Sequence, residues 1–446
     1  MATQNFSSRF GFLMGSIGFA VGLGNIWRFP YVVGENGGSA FVLVYLLCAF
    51  AIGAPILMAE VMLGRRGGGT PPSTMRAVAV DADRSTTWSS VGYLSLLTAF
   101  LIMSGYGVVI GWVLYYLVVG FTGGFSGLDA ASSNAAFSEL LADVPRLVLW
   151  TLIGYAIAGT IISAGVQKGI ERAVTLLMPL LFLLLIGLAI ANVFIGGMGE
   201  ALTYLFAPDF SKMNAPMLLA AVGQAFFSIG VAMAGMMMFG AYLPDNVSIA
   251  RSAIVIVCAD TAVAIVAGLV IFPMVFHNGL DPEGGTGLIF QTLPVAFAQM
   301  PGGSVIGTLF FLLLSVAAIT SAVGLLEPVG AWIAEALDVS RRRATLILIG
   351  VTLAFGMTSI LSFNYWSDVT VFGVGLGAAV DFLPNQVFLP LGGLLIAVFV
   401  GWRLSTASIR DQFDLSDGGF SLWHGLLKYV AVPAVLVILV TGLLGT

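Results

Sequence analysis

The chain has 446 residues, 59% of them hydrophobic and only 9% charged, with a mean hydropathy of +1.03 and a formal net charge of −5. That composition excludes a water-soluble globular domain of this size. The small net charge is spread over polar loops, so no nucleic-acid partner is expected.

Apolar runs of about 20 residues recur along the whole length, enough to cross a bilayer many times. Eleven spanning segments are predicted, at roughly 10–33, 39–63, 90–121, 146–165, 172–196, 216–243, 251–276, 304–337, 343–363, 369–401 and 423–445. Polar, Gly or Pro clusters set their ends, among them Gly64-Arg65-Arg66 with Pro71-Pro72, Gln167-Lys168-Gly169, Pro244-Asp245-Asn246 and Arg341-Arg342-Arg343. The stretch from His277 to Gly303 is too short and polar to span, and a helical hairpin or cap on the outer side is expected there. No cleavable signal peptide is predicted, because the polar start runs into a segment too long for one. Cys48 and Cys258 both lie in apolar segments, so no disulfide framework is expected.

Orientation follows from the basic residues. With the N-terminus inside, all of the 17 Lys and Arg except Arg28, Arg146 and Lys212 fall on the cytoplasmic side. The odd number of segments then places Thr446 outside. A multi-pass protein of the cell membrane is predicted, with the lipid bilayer as its constant partner.

The first segment is the most informative. Residues 11–38 read GFLMGSIGFAVGLGNIWRFPYVVGENGG, and Gly18, Gly22 and Gly24 interrupt the run just before Asn25 and Arg28. Backbone that leaves the helix at membrane depth frees N–H and C=O groups, which must then bind something. The sixth segment is interrupted in the same way, with Gln224 and Ser228 beside its glycines. Five segments separate the two, so they enter the membrane from opposite sides. Paired broken helices in inverted halves point to a transporter binding site. Gly105, Gly107 and Gly111 on the third segment are read instead as sites of close helix packing.

The run NIWRFPYVVGENGG, from Asn25 to Gly38, closely resembles the signature of the neurotransmitter:sodium symporter family, which includes the bacterial leucine transporter. QAFFSIG, from Gln224 to Gly230, and AAITSAVGLLEP, from Ala317 to Pro328, resemble the family's sixth and eighth segments. The resemblance runs the length of the chain. It implies an all-α polytopic fold of eleven transmembrane helices, built on a 5+5 inverted-repeat core with discontinuous helices 1 and 6. Residues 1–200 would form the first repeat, 201–402 the second, and 403–446 a peripheral eleventh helix. It also implies sodium-driven uptake of an amino acid by alternating access.

The resemblance further implies two sodium sites. One would use the carbonyls of Gly18, Val21 and Ala317 with the hydroxyls of Thr320 and Ser321. The other would use the Ala20 carbonyl, the Asn25 side chain, Ser228 and Asp260. Sodium is a hard cation that takes such oxygen ligands. A carboxylate deep in the seventh segment is expensive, and its default role is functional. The family commonly carries Asn there. Chloride-dependent relatives also build a chloride site, which Tyr45, Gln224 and Ser228 match in part, but Ala264 stands where a hydroxyl or acid is expected. Asp260 is therefore expected to supply the fixed negative charge that chloride supplies elsewhere, and no chloride requirement is predicted.

The substrate would sit between the breaks. Gly22, Leu23 and Gly24 would offer backbone N–H groups to a ligand carboxylate, helped by the Tyr106 hydroxyl and a half-helix N-terminus. The ligand amine would meet carbonyls of Ala20, Phe227 and Ser228. The side-chain space would be lined by Ile102, Phe227, Ile229, Met233, Ser321 and Leu325, which carry no charge, so a hydrophobic L-amino acid is predicted. Taken residue by residue, these apolar positions also suit ordinary core packing.

Arg28 and Asp381 would close the outer side above Tyr106 and Phe227. Arg9 and Glu335 would close the inner side, where Phe6 and Thr3 replace a Trp and an Arg usual in the family. Glu60 is read as bonding the unwound part of a broken helix. Gly169 and Pro179 match a family spacing in the fifth segment that favours local unwinding. Three other classes compete with a transporter. A channel needs a polar face that no segment has. A membrane enzyme lacks a metal-spaced or nucleophile–base set, since the only histidines are His277 and His424. A non-transporting amino-acid sensor on a transporter scaffold is the remaining alternative. The sequence carries no signal for an oligomeric state.

Overall fold

The structure is a computed structural model that describes residues 5–207, 209–283, 285–371 and 373–444; Thr3 and Thr446 lie outside them. Nine of the eleven predicted segments are single helices long and apolar enough to cross a membrane: Ser39–Gly67, Thr86–Phe121, Val144–Ser163, Val166–Ile195, Ile249–His277, Gly303–Ala336, Arg341–Ser362, Leu376–Arg403 and Asp417–Gly442. The first segment is a bent pair, Arg9–Ala20 and Gly24–Glu35, with 46° between the halves. The sixth consists of Ala215–Ile229 and Gly235–Ala241. These eleven units are called the first to the eleventh span below.

The eighth span is the hub, with 89% of its most apolar stretch buried. The fifth and eleventh, at 28% each, stand at the rim. Leu183 and Phe194 of the fifth are 71% and 84% exposed, which is the face lipid would cover. Glycines let the inner helices touch. A Cβ on Gly107 would lie 2.2 Å from the Tyr155 hydroxyl, and one on Gly111 would lie 2.9 Å from the Thr151 nitrogen. Gly105 has no such neighbour closer than Ser359, at 3.7 Å.

Several boundaries differ from expectation. The fifth span begins at Val166, because Gln167, Lys168 and Gly169 lie in a π-helical turn, Val166–Glu171, which runs straight into the helix. The tenth begins at Leu376. The residues before it form a tight two-stranded hairpin that pairs Thr370 with Gly375. Between His277 and Gly303 the described residues form a short 3-10 turn and one helix, Thr292–Gln299, so of the two forms expected there the hairpin is not the one adopted. Further helices, Pro71–Asp81, Ala130–Ala142, Met198–Phe206 and the short Thr406–Arg410, lie in connections where none was expected.

Pro273 illustrates how an interior proline is tolerated. It has no N–H to offer the carbonyl four residues back, that of Leu269. Asn192 of the fifth span fills the gap, its amide nitrogen lying 3.4 Å from the Leu269 oxygen and 2.5 Å from that of Val270. Replacing Asn192 by Ala strands these acceptors in an apolar interior, at a cost of about 1–2 kcal/mol. Thermal unfolding of the detergent-solubilised protein therefore begins a few degrees lower in Asn192→Ala. The loss shrinks when Pro273→Ala restores the helical N–H, and equal losses in both backgrounds would remove this explanation.

Candidate functional site

Both breaks fall at the centre of the bundle. In the first span the helix ends at Ala20. Val21 is extended, with φ −76° and ψ 99°, and helical turns resume at Gly24. The carbonyls released there meet the eighth span. The Ser321 hydroxyl donates into a ring of oxygens, 3.1 Å from that of Phe19, 3.4 Å from Gly18 and 3.5 Å from Val21. Its neighbour Thr320 bonds back along its own helix, 3.0 Å from the carbonyls of Val316 and Ala317. Thr320 still packs beside the break, since a Cβ on Gly18 would lie 3.3 Å from its own. The structure thus brings together Gly18, Val21, Ala317, Thr320 and Ser321, and adds the Phe19 carbonyl.

A second cluster gathers on Asp260, which is fully buried. The Asn25 amide nitrogen donates to Asp260 Oδ1 at 2.7 Å, to the Asp260 carbonyl at 3.0 Å and to Ser228 Oγ at 2.9 Å. Ser228 Oγ donates to Asp260 Oδ2 at 2.8 Å, and the Tyr45 hydroxyl reaches the same oxygen at 3.3 Å. Asn25 Oδ1 meanwhile accepts from the Gly22 N–H at 3.1 Å. Gln224 donates to the Gly24 carbonyl at 2.9 Å, and its buried Oε1 has no hydrogen-bond partner. Among the described residues no Lys, Arg or His pairs with Asp260. A cluster of oxygen atoms around one carboxylate without a cationic partner is chemically suited to a hard monovalent cation.

The two clusters are joined by the break itself. A Cβ on Gly22 would lie 2.2 Å from Ser321 Oγ and 3.2 Å from the Tyr106 hydroxyl. The Leu23 N–H points at that same hydroxyl from 3.5 Å. A Cβ on Gly24 would touch the Phe227 ring at 3.1 Å. Ala20, Ile102, Met233 and Leu325 are buried on the spans that enclose this point.

The break in the sixth span is more strained. Ala232 and Ala234 sit at φ 63° and 64°, a left-handed conformation that glycine adopts more easily. Glu60 of the second span holds the turn, as its position in the sequence suggested. Its Oε1 accepts from the Ala232 N–H at 2.6 Å, while Oε2 has no partner.

Two expectations need correction. Ile229 does not face the breaks. The end of its side chain packs on the second span, where a Cβ on Gly53 would lie 2.3 Å from it. Arg9 and Glu335 form no ion pair. Glu335 accepts from Thr70 and Ser73, whereas Arg9 borders a polar cavity of about 360 Å³ with Arg65, Asp245, Arg251, Asp411 and Asp414. Arg28 and Asp381, expected to meet when the outer side closes, each have another neighbour in this conformation. The guanidinium lies 4.4 Å above the Phe227 ring, and Asp381 accepts from Asn385 at 2.8 Å.

Sequence reasoning also missed two groups. Phe19 fits among glycines: a Cβ on Gly324, Gly235 or Gly230 would lie 2.2, 2.5 or 3.0 Å from its ring. On the side of the bundle where the first span begins, Glu327 pairs with Arg341 and accepts from Tyr242 at 2.6 Å, which ties the sixth, eighth and ninth spans together. The glycine spacings were the available signal for the first group, and the Glu inside an apolar run for the second.

A sequence profile described as the sodium:neurotransmitter symporter family matches residues 3–139 and 138–374. The chain belongs to the sodium:neurotransmitter symporter family. It is 34% identical over 443 residues to an uncharacterized sodium-dependent transporter, YhdH, of Bacillus subtilis, covering 98% of this chain and 97% of that one. It is 27% identical to an uncharacterized sodium-dependent transporter of Methanocaldococcus jannaschii, over 98% of this chain and 89% of the other. The solved structure of MhsT in complex with L-phenylalanine has a TM-score of 0.91 and 39% identity, covering 98% of this chain and 99% of that one. The protein is thus a sodium-dependent symporter and not an enzyme. Its fold is the all-α, leucine-transporter type with both discontinuous helices.

The close fit of Phe19 gives a test of the break's packing. Gly324→Ala puts a methyl into the ring's space and costs about 1–3 kcal/mol. Thermal unfolding should show this loss, and adding Phe19→Leu, which vacates the space, should recover most of it. No recovery would mean that Phe19 does not set the requirement for glycine.

Proposed function

We propose that this symporter imports hydrophobic L-amino acids together with sodium by alternating access, without chloride. The observation that carries the reading is the lone Asp260 carboxylate, held by the neutral groups of Asn25, Ser228 and Tyr45 beside the broken first span. A buried carboxylate without a cation is costly, and a bound sodium ion relieves that cost. The Asp260 carboxylate also supplies the fixed negative charge that would make an anion cofactor unnecessary.

One sodium ion would lie with Asp260, Asn25, Ser228 and the Ala20 carbonyl. A second would lie among the carbonyls of Gly18, Val21 and Ala317 and the hydroxyls of Thr320 and Ser321. The substrate carboxylate would take the N–H groups of Gly22, Leu23 and Gly24 and the Tyr106 hydroxyl. Its amine would take the carbonyls of Ala20, Phe227 and Ser228. Ile102, Phe227, Met233, Ser321 and Leu325 would surround its side chain. That lining is uncharged, and the L-phenylalanine bound to MhsT supports a ligand of this class. The repeats 1–200 and 201–402 would move against each other around this point, with Arg28 and Asp381 meeting as the outer side closes. The N-terminus would be cytoplasmic and the C-terminus external.

Protein reconstituted in liposomes tests this directly. A sodium gradient should drive accumulation of labelled L-phenylalanine. Leucine, isoleucine, valine, methionine and tryptophan should compete, and aspartate, glutamate, lysine and arginine should not. Replacing sodium by potassium should abolish uptake, whereas replacing chloride by gluconate should leave it unchanged. Asp260→Asn should raise the sodium concentration needed for half-maximal uptake by at least about tenfold. A large loss in gluconate would sink the chloride-independent reading. Binding without counterflow of labelled substrate would favour the sensor.

A further inference from the structure

The cytoplasmic end of the first span raises a separate question, because the expected Arg9–Glu335 pair is absent there. The segment that leads into the first span is nonetheless firmly held. Ser7 donates to Glu171 twice, from its N–H to Oε2 at 2.8 Å and from its hydroxyl to Oε1 at 2.8 Å. Ser8 donates its hydroxyl to the same Oε1 at 3.0 Å. The Ser8 oxygen also accepts from the Gly11 N–H at 2.9 Å, so the residue that caps the first helix is the one that reaches Glu171. Gly11 leaves space for the carboxylate; a Cβ there would lie 2.0 Å from Oε1. One turn earlier, Gln167 donates to the Asn5 carbonyl at 2.9 Å.

Gln167 and Glu171 are four residues apart on the π-helical turn Val166–Glu171, so they present one face to the incoming chain. Between their contacts Phe6 turns the other way. Its N–H donates to the Tyr242 carbonyl at 3.1 Å, and its ring is buried against Phe12, Phe239 and Tyr242. Four residues of chain therefore stitch together the first, fifth and sixth spans.

The place of the clamp matters. A π-turn interrupts the regular hydrogen bonding of the fifth span, and such turns occur frequently at functional sites. It directly follows Gly165, which has φ 92°. Glu171 is buried, and among the described residues no cation pairs with it. Its charge rests on three neutral donors and on the N-terminus of the first helix, whose dipole favours an anion.

We propose that Glu171 is the positioning residue of the inner gate. Its carboxylate locks residues 7–8 of the first span to the π-turn of the fifth, so the first half-helix swings out only when that turn comes apart. The expected cation–carboxylate gate is replaced by a carboxylate held by hydroxyl and amide donors. The latch takes its meaning from the inward opening proposed above. Its test needs no transport, so failure of one is distinguishable from failure of the other.

Hydrogen–deuterium exchange of the full-length protein in sodium-containing nanodiscs, read by mass spectrometry, reports the latch. Glu171→Gln loses the charge and half of the accepting oxygens. It should speed exchange in peptides covering residues 5–12 and 166–171 together, by about tenfold, with no change across Ile249–His277. Ser7→Ala removes one of the three donors and spares the helix cap. It should speed the same two regions by a smaller factor, and it carries the test alone if the Gln variant does not fold. Unchanged exchange, faster exchange in only one of the two regions, or faster exchange throughout the protein would each overturn the proposal.

Discussion

Everything at the centre of this protein answers one constraint: peptide groups exposed inside a membrane must be bonded by the protein itself. Each one left open there costs several kcal/mol. The first span releases the carbonyls of Gly18, Phe19 and Val21, and Ser321 meets them. It releases the Gly22 N–H, which Asn25 takes, and Gln224 adds a second donor to the Gly24 carbonyl, which already accepts from the Phe29 N–H. The sixth span exposes the Ala232 N–H, and Glu60 takes it from another helix. The polar residues of the core are therefore distributed by the needs of the two breaks. The same needs gather many oxygen atoms around the two breaks.

Close approach is the second requirement, because short polar side chains reach a broken backbone only if the helices nearly touch. Glycine provides that approach at Gly22 and Gly24, and again where Phe19 lies against Gly230, Gly235 and Gly324. The aromatic ring fills the gap that unwinding opens on one side, while Ser321 serves the other. A bulky apolar residue and a small polar one thus share a single interruption in the helix.

Much of this was legible in the sequence, and the limits have physical causes. Span positions follow from hydropathy, and the two breaks follow from glycines set among polar residues in apolar runs. The gathering of Asn25, Ser228 and Asp260 could be anticipated because buried polar groups must find one another. Ile229 was misread because it neighbours Ser228 in the last turn of a helix, where one position of rotation turns a side chain by about 100°. The partners of Arg9 and Glu335 were misassigned for a related reason. Long charged side chains near helix ends have many partners within reach, and spacing along the chain does not choose among them. π-turns such as Val166–Glu171 leave no periodic trace, so the true start of the fifth span was hidden.

The carboxylates divide into two kinds, and the division matches what must move. Glu327 is paired with Arg341 and so joins the eighth and ninth spans by opposite charges. Separating the pair would leave the Glu327 carboxylate buried without its cation, which makes it a poor hinge. Asp260, Glu60 and Glu171 instead accept only from amides and hydroxyls. A neutral donor released from a carboxylate leaves one ion rather than two, and water or an arriving cation can replace it. All three of these carboxylates touch a broken helix or the segment leading into one. The residues beside the breaks thus form contacts that can be exchanged, while the Glu327–Arg341 pair, with Tyr242 beside it, fastens the far end of the sixth span to the eighth and ninth.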